Sequence, residues 1–136
     1  VADKLKLEIV TPHGLVFSDE VDEVTAAGSE GEFGVLPGHA PYVTTLKIGM
    51  LTCKSAGGTK YFFVNWGYAE VGPDKVIVLA DSAEPAESID VERAKAAKTR
   101  AEERLRKAET VDFTRAESSL ERSMMRLQVA ERKMSR

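Results

Sequence analysis

Apolar residues alternate with polar ones at the start of this chain and recur every three or four residues at its end. Leu5, Leu7 and Ile9 alternate with Lys4, Lys6 and Glu8, the period of two of a strand with one face buried. Thr11-Pro12-His13-Gly14 then predicts a turn. A second run, residues 15–27, is acidic in its middle (Asp19, Glu20, Asp22, Glu23) and apolar again by Val24. Further strand-like runs lie at 48–54, 61–65, 68–71 and 76–80, with Gly57-Gly58 and Gly72-Pro73-Asp74 at hairpin spacing between them. Many short strands with regular turns predict an antiparallel sandwich or barrel over residues 1–86. Phe17, Phe33, Phe62, Val64, Trp66 and Leu79 are its expected core.

The period changes near Ser88, which the pattern places as a helix N-cap, with Pro85 just outside and Asp90 and Glu92 in the first turn. Ala94, Ala97, Ala101, Leu105 and Ala108 then recur at helical spacing. A break at 110–113 is too short for anything but an antiparallel return. The second stripe is Phe113, Ala116, Leu120, Met124, Leu127, Ala130 and Met134, and Thr114-Arg115-Ala116-Glu117 also fits a capping box. Residues 87–136 are therefore expected to form an αα-hairpin. Its seam is weak by construction, since each buried alanine methyl contributes at most about 1 kcal/mol. On the second helix Arg115, Arg122, Arg126 and Lys133 fall in one line, roughly opposite the apolar stripe. Asp90 is expected to point toward the seam.

Charge follows the same division. Residues 1–86 carry 6 Lys against 12 Asp and Glu, while residues 87–136 carry 13 Lys and Arg against 10 acids and hold every arginine. An acidic β body joined to a basic helical arm suits two different partners. A net charge of −3 and a basic ridge without interleaved aromatics speak against a nucleic-acid binder. No run approaches the ~20 apolar residues of a membrane span, and the first ten residues show no export or transit pattern. Cys53 stands alone and reads as a small core residue, while His13 and His39 have no second ligand at metal spacing. No Gly-x-x-x-x-Gly-Lys-Ser/Thr loop and no nucleophile–base pair is present, so neither a catalytic nor a metal site is expected.

One segment departs from the strand-and-turn pattern. In GEFGVLPGHAP, residues 31–41, three glycines and two prolines fix a shaped loop suited to holding a contact surface. His39 within it is expected to bond the loop or touch a partner.

That segment, together with Asn65-Trp66-Gly67-Tyr68-Ala69-Glu70-Val71, Ile89-Asp90-Val91-Glu92-Arg93-Ala94 and the run from Arg115-Ala116-Glu117 to Ala130, resembles the epsilon subunit family of bacterial and chloroplast rotary ATP synthases. The resemblance spans essentially the whole chain. It implies a flattened antiparallel sandwich of about ten strands followed by a helical hairpin, with no active site of its own. It further implies a place in the central stalk between the gamma subunit and the membrane c-ring, peripheral on the cytoplasmic face of the bacterial inner membrane. Gly31, Glu32, Phe33, Leu36, Pro37, His39 and Tyr42 would meet the c-ring and gamma.

In that family the hairpin folds down on the sandwich or extends into the catalytic head and inhibits ATP hydrolysis. Arg115, Arg122, Arg126 and Lys133 would then meet the alpha and beta subunits. Some members bind regulatory ATP through Ile or Leu, Asp, two free positions, Arg and Ala. Ile89, Asp90, Arg93 and Ala94 match that motif here, with Glu84, Arg122 and Arg126 as partners. No cofactor is required. A free-standing interaction adaptor with the same two parts remains the alternative, and the mitochondrial counterpart called delta shares the sandwich.

Overall fold

The structure is a computed structural model that describes residues 4–107 and 110–134; the side chains of residues 110–112, 133 and 134 lie outside the described set. The chain divides into two compact units, Val1–Pro85 and Ala86–Arg136.

The first unit is a β-sandwich of eight strands: β1 (Leu5–Thr11), β2 (Gly14–Val21), β3 (Glu23–Gly28), β4 (Gly31–Val35), β5 (Tyr42–Leu46), β6 (Gly49–Ser55), β7 (Gly58–Val71) and β8 (Lys75–Pro85). Alternation places Leu5, Leu7 and Ile9 fully inside, where they meet Val24, Val35, Leu51, Phe62, Val64, Ala69, Val76 and Val78 in one apolar core. Phe17 and Phe33 pack against that core from its rim. Trp66 and Leu79, expected inside, are instead 46% and 42% exposed. Leu79 has the outward parity of β8, between buried Val78 and Ala80. Trp66 stands at a backbone irregularity.

That irregularity makes the sandwich. The strand β7 pairs with β6 from Gly58 to Val64 and with β5 from Gly67 to Val71, so it changes partner across residues 65–66. Trp66 sits there at φ 51 and Gly67 at φ 148, both outside the extended region. The strand β8 follows β7 from end to end, pairing Val71 with Val76 and Phe62 with Pro85. Two long strands thus pass through the corner unbroken, and the expected ten strands are eight. Pairing is mixed rather than wholly antiparallel. The first and last strands, β1 and β8, run side by side in parallel, Lys6 opposite Lys75 through Val10 opposite Leu79. They are remote in sequence, so no short turn imposes opposite directions on them.

The expected loop at 31–41 is shorter. Gly31–Val35 forms strand β4 against β3, leaving residues 36–41 as the connection.

The second unit opens with a 3-10 turn, Ala86–Ser88, followed by α1 (Val91–Lys107) and α2 (Thr110–Met134). The cap is Asp90 rather than Ser88. Its Oδ1 accepts from the Arg93 backbone N–H at 3.0 Å and its carbonyl accepts from Ala94 at 3.0 Å, the two bonds that define an N-cap. Ser88 is taken up by the 3-10 turn, which Ile89 closes through its bond to the Ala86 carbonyl. The expected break at 110–113 is the first turn of α2. Arg104, Arg106 and Lys107 in the last turn of α1 complement the negative end of its dipole.

Two outcomes follow. An alanine Cβ at Gly67 would fall inside the Leu79 carbonyl and 2.7 Å from Ala80 Cα, with backbone on both sides and nothing able to yield. Gly67→Ala should therefore cost about 3 kcal/mol or more in urea unfolding. Burial pushes the Cys53 thiol up to about 11, against a smaller opposing pull from Lys60. Between about pH 9 and 11 the unfolded thiol loses its proton while the folded one keeps it. Stability should fall across that window by about 1 kcal/mol per pH unit, and Cys53→Ala should flatten that slope.

Candidate functional site

The hairpin is held by small residues at a seven-residue interval. Ala94 and Ala101 are buried on α1, and Ala116, Ser123 and Ala130 on α2. Small side chains let the two helix backbones approach closely, and α1 supplies strong helix formers for it. Ser123 is buried without penalty because its hydroxyl donates to the carbonyls of Ser119 and Leu120, each at 3.0 Å. Ala94, Ala101, Ala116 and Ala130 belong to the expected stripes, and the difference lies in the larger residues of α2. Phe113 and Met124 lie outside the seam and are exposed, while Val129, absent from the predicted stripe, is fully buried.

The basic ridge differs as well. Arg115 is exposed, whereas Arg122 and Arg126 are half-buried rather than facing outward. The Lys133 side chain lies outside the described residues. Asp90 is exposed rather than turned to the seam, because capping its own helix directs the carboxylate to the backbone. Ile89 and Ala94 are buried and Arg93 is exposed. The nucleotide motif is therefore laid out along the start of α1, with Arg122 and Arg126 on α2. Glu84 belongs to the other unit, in β8 opposite Phe63.

A groove lies between the two helices. Arg104, Thr114, Arg115, Ser118, Ser119 and Arg122 line a space of about 350 Å³. Arg122 Nη2 donates to Ser119 Oγ at 3.1 Å, which turns its guanidinium along the lining. Sequence reasoning found Arg115 and Arg122 but missed Arg104 and the three hydroxyls. The antiparallel return, which sets the last turns of α1 beside the first turns of α2, was the signal that could have joined them.

On the sandwich, Phe33 meets Tyr42 edge to face at 5.6 Å, and His39 stands 6.3 Å from the same tyrosine. His39 Nδ1 donates to the Ala40 carbonyl at 2.6 Å, so the imidazole is spent partly on its own loop. Gly38, at φ 90, donates its N–H to the Pro73 carbonyl at 2.6 Å and ties the loop to the β7–β8 turn. The loop is thus pinned by its backbone. Gly31 and Glu32 are exposed on β4, Pro37 is half-buried, and Leu36 is 60% exposed at the crest.

Beside this loop the outer sheet face sets exposed apolar side chains among charged and polar ones. Register places Val43, Glu70, Ile77 and Glu8 in one row across β5, β7, β8 and β1, and Thr45, Tyr68, Leu79 and Val10 in the next. Val43 is 61% and Tyr68 38% exposed. Among the described residues no group of three His, Cys, Asp or Glu side chains could hold a metal ion.

Comparison with known proteins agrees with this division. Residues 4–86 match the family model for the β-sandwich domain of the ATP synthase delta/epsilon chain, and residues 87–131 match that for its long α-helix domain. The ATP synthase epsilon chain of Geotalea uraniireducens (strain Rf4) is 60% identical over 107 residues, covering 79% of this chain and 78% of the relative. That of Thermodesulfovibrio yellowstonii is 59% identical over 106 residues, covering 78% and 76%. Among solved structures, a chain of the Euglena gracilis mitochondrial ATP synthase (OSCP/F1/c-ring, rotational state 1) superposes with a TM-score of 0.82 at 24% identity, covering 98% of this chain and 83% of that one. Two domain models in the right order and close relatives along most of the chain lead to one conclusion: it belongs to the delta/epsilon family of ATP synthase, as an epsilon subunit, an accessory chain and not a catalytic one.

Proposed function

We propose that this chain works as a rotor subunit in the central stalk of a proton-translocating ATP synthase. Its sandwich would join the gamma subunit to the membrane c-ring, at the cytoplasmic face of the bacterial inner membrane. The observation that carries this reading is the set of large apolar side chains, Val43, Tyr68 and Leu79, exposed on adjacent strands of an otherwise acidic body. Large apolar side chains exposed together cost solubility unless a partner covers them. The pinned loop beside it, with Leu36 at its crest and Glu32, Phe33, His39 and Tyr42 around it, supplies a contact that need not refold under load. The Euglena relative is part of an assembly described as containing a c-ring, which supports the same placement. Among the described residues no helix is long and apolar enough to cross a membrane.

The hairpin is the regulatory part in this reading. A seam of alanines and one serine leaves little free energy between a closed pair and an opened one, which a switch needs. Opened, Arg115, Arg122, Arg126 and Lys133 would meet acidic segments of the alpha and beta subunits and restrain ATP hydrolysis. Closed, Ile89, Asp90, Arg93 and Ala94 would hold ATP, with Arg122 and Arg126 on its phosphates. Nucleotide would then favour the closed form by mass action. The Asp90 cap limits how that works. Its Oδ1 is committed to Arg93 N–H, so its other oxygen is the one left to accept from a ligand.

Two measurements bear on these readings. Replacing Tyr68 and Leu79 together by Glu should leave the fold intact and weaken association with purified gamma subunit at least tenfold in a binding titration; unchanged affinity would move the contact elsewhere. Calorimetric titration of ATP into the full chain should show one site that Arg93→Ala with Arg126→Ala weakens at least tenfold. Silence to millimolar ATP would reduce the motif to helix architecture and leave the stalk reading standing.

A further inference from the structure

Arginines from both helices line the α1–α2 groove, and among the described residues no carboxylate lines it with them. Arg104 comes from the end of α1, and Arg115 and Arg122 come from α2. Among the described residues none of the three forms an ion pair; Lys4–Asp22, Lys54–Glu23, Lys75–Glu8 and Lys95–Glu92 all lie elsewhere. Three guanidiniums left together repel one another unless an anion joins them. Thr114, Ser118 and Ser119 add three hydroxyls to the lining, and Arg122 is already oriented by its bond to Ser119. The lining offers guanidinium and hydroxyl donors but no acidic side chain, and planar forks of this kind match the oxygens of tetrahedral oxyanions. A space of about 350 Å³ is at the small end of ligand pockets and has room for more than one phosphate.

We propose that this groove, centred on Arg104 and Arg115, is a binding site for a phosphate-class anion at the far end of the hairpin from the nucleotide motif, with Arg122 lying between the two. Arg93 and Arg104 are eleven residues apart on one helix, about 16 Å along its axis. A ligand seated on Arg104 and Arg115 bridges α1 to α2 near their return, and so clamps the hairpin shut from the end opposite the motif. Binding to the closed form alone stabilises it by mass action. The site also withdraws Arg115 and Arg122 from any acidic protein surface while the anion is bound. The shared chemistry is an oligophosphate, whether free phosphate or the tail of a nucleotide. The dipole of α1 accounts for a cation at position 104, but not for the two facing it across the groove.

The test titrates the full chain with sodium tripolyphosphate by calorimetry at low salt, with inorganic phosphate, ATP and adenosine as competitors. One site should appear, weaken as salt rises, and lose at least tenfold in affinity in the Arg104→Gln, Arg115→Gln double variant. Asp90→Ala should keep it. In the Asp90→Ala chain, competition by inorganic phosphate at similar concentrations would name free phosphate as the source, and competition by ATP but not adenosine would name a nucleotide tail. Ser118→Glu sets a carboxylate among the guanidiniums and should abolish binding while far-ultraviolet circular dichroism stays native. Silence to millimolar tripolyphosphate, an unaltered affinity in the double variant, or equal loss in Asp90→Ala would overturn the proposal.

Discussion

One strand that serves two partners sets the terms for the sandwich. To pair with β6 along its first half and β5 along its second, β7 must turn a corner without ending, and β8 must follow it at backbone-to-backbone distance. Only glycine fits at position 67, where the Leu79 carbonyl and Ala80 Cα occupy the space of a side chain. The corner also turns Trp66 outward at positive φ, an expense for a large residue that the surrounding ladder sustains. The register of the outer rows follows from it, because Tyr68, Glu70, Ile77 and Leu79 face outward only if the corner absorbs the change of partner without a slip.

Much of this was legible from periodicity. The alternation of Leu5, Leu7 and Ile9 gave both the strand and its buried face, and the change of period at Ser88 gave the division into sheet and hairpin. Trp66 was misread because a large aromatic in a strand-like run is usually core, and a positive φ leaves no trace in hydrophobicity. The strand count failed for a related reason: the glycine at position 67 looks like a terminator, and only the pairing shows that the strand continues. Parallel pairing of β1 with β8 is a contact between chain ends, which no local pattern encodes.

In the hairpin, sequence gave the helices and most of the seam, since buried Ala94, Ala101, Ala116 and Ala130 all stand in the expected stripes. Large residues dominate a helical stripe on paper, and Phe113 and Met124 pulled the predicted seam toward themselves. The structure keeps the expected small residues at 94, 101, 116 and 130 inside, leaves Phe113 and Met124 out, and buries Ser123 and Val129 in their stead. Arg122 and Arg126 are half-buried, and Arg104 lines the groove with Arg115. The candidate nucleotide motif was visible as a string, but the groove was not, because its members come from two helices and are joined only by the antiparallel return. Asp90 shows the converse error: a short polar side chain at a helix start serves its own backbone first.

The part of the buried face that repeats every seven residues, at 94 and 101 and at 116, 123 and 130, is alanine or serine throughout. Such a surface looks nearly the same after translation by one repeat, about 10 Å along the axis. It lacks the large knobs that would fix a single register or a single partner. Either helix can therefore lie against another smooth helical ridge without first finding a matching set of holes. Specificity in such a pair passes to the polar flanks, where Arg104, Arg115 and Arg122 stand, so charge rather than packing selects what the hairpin embraces.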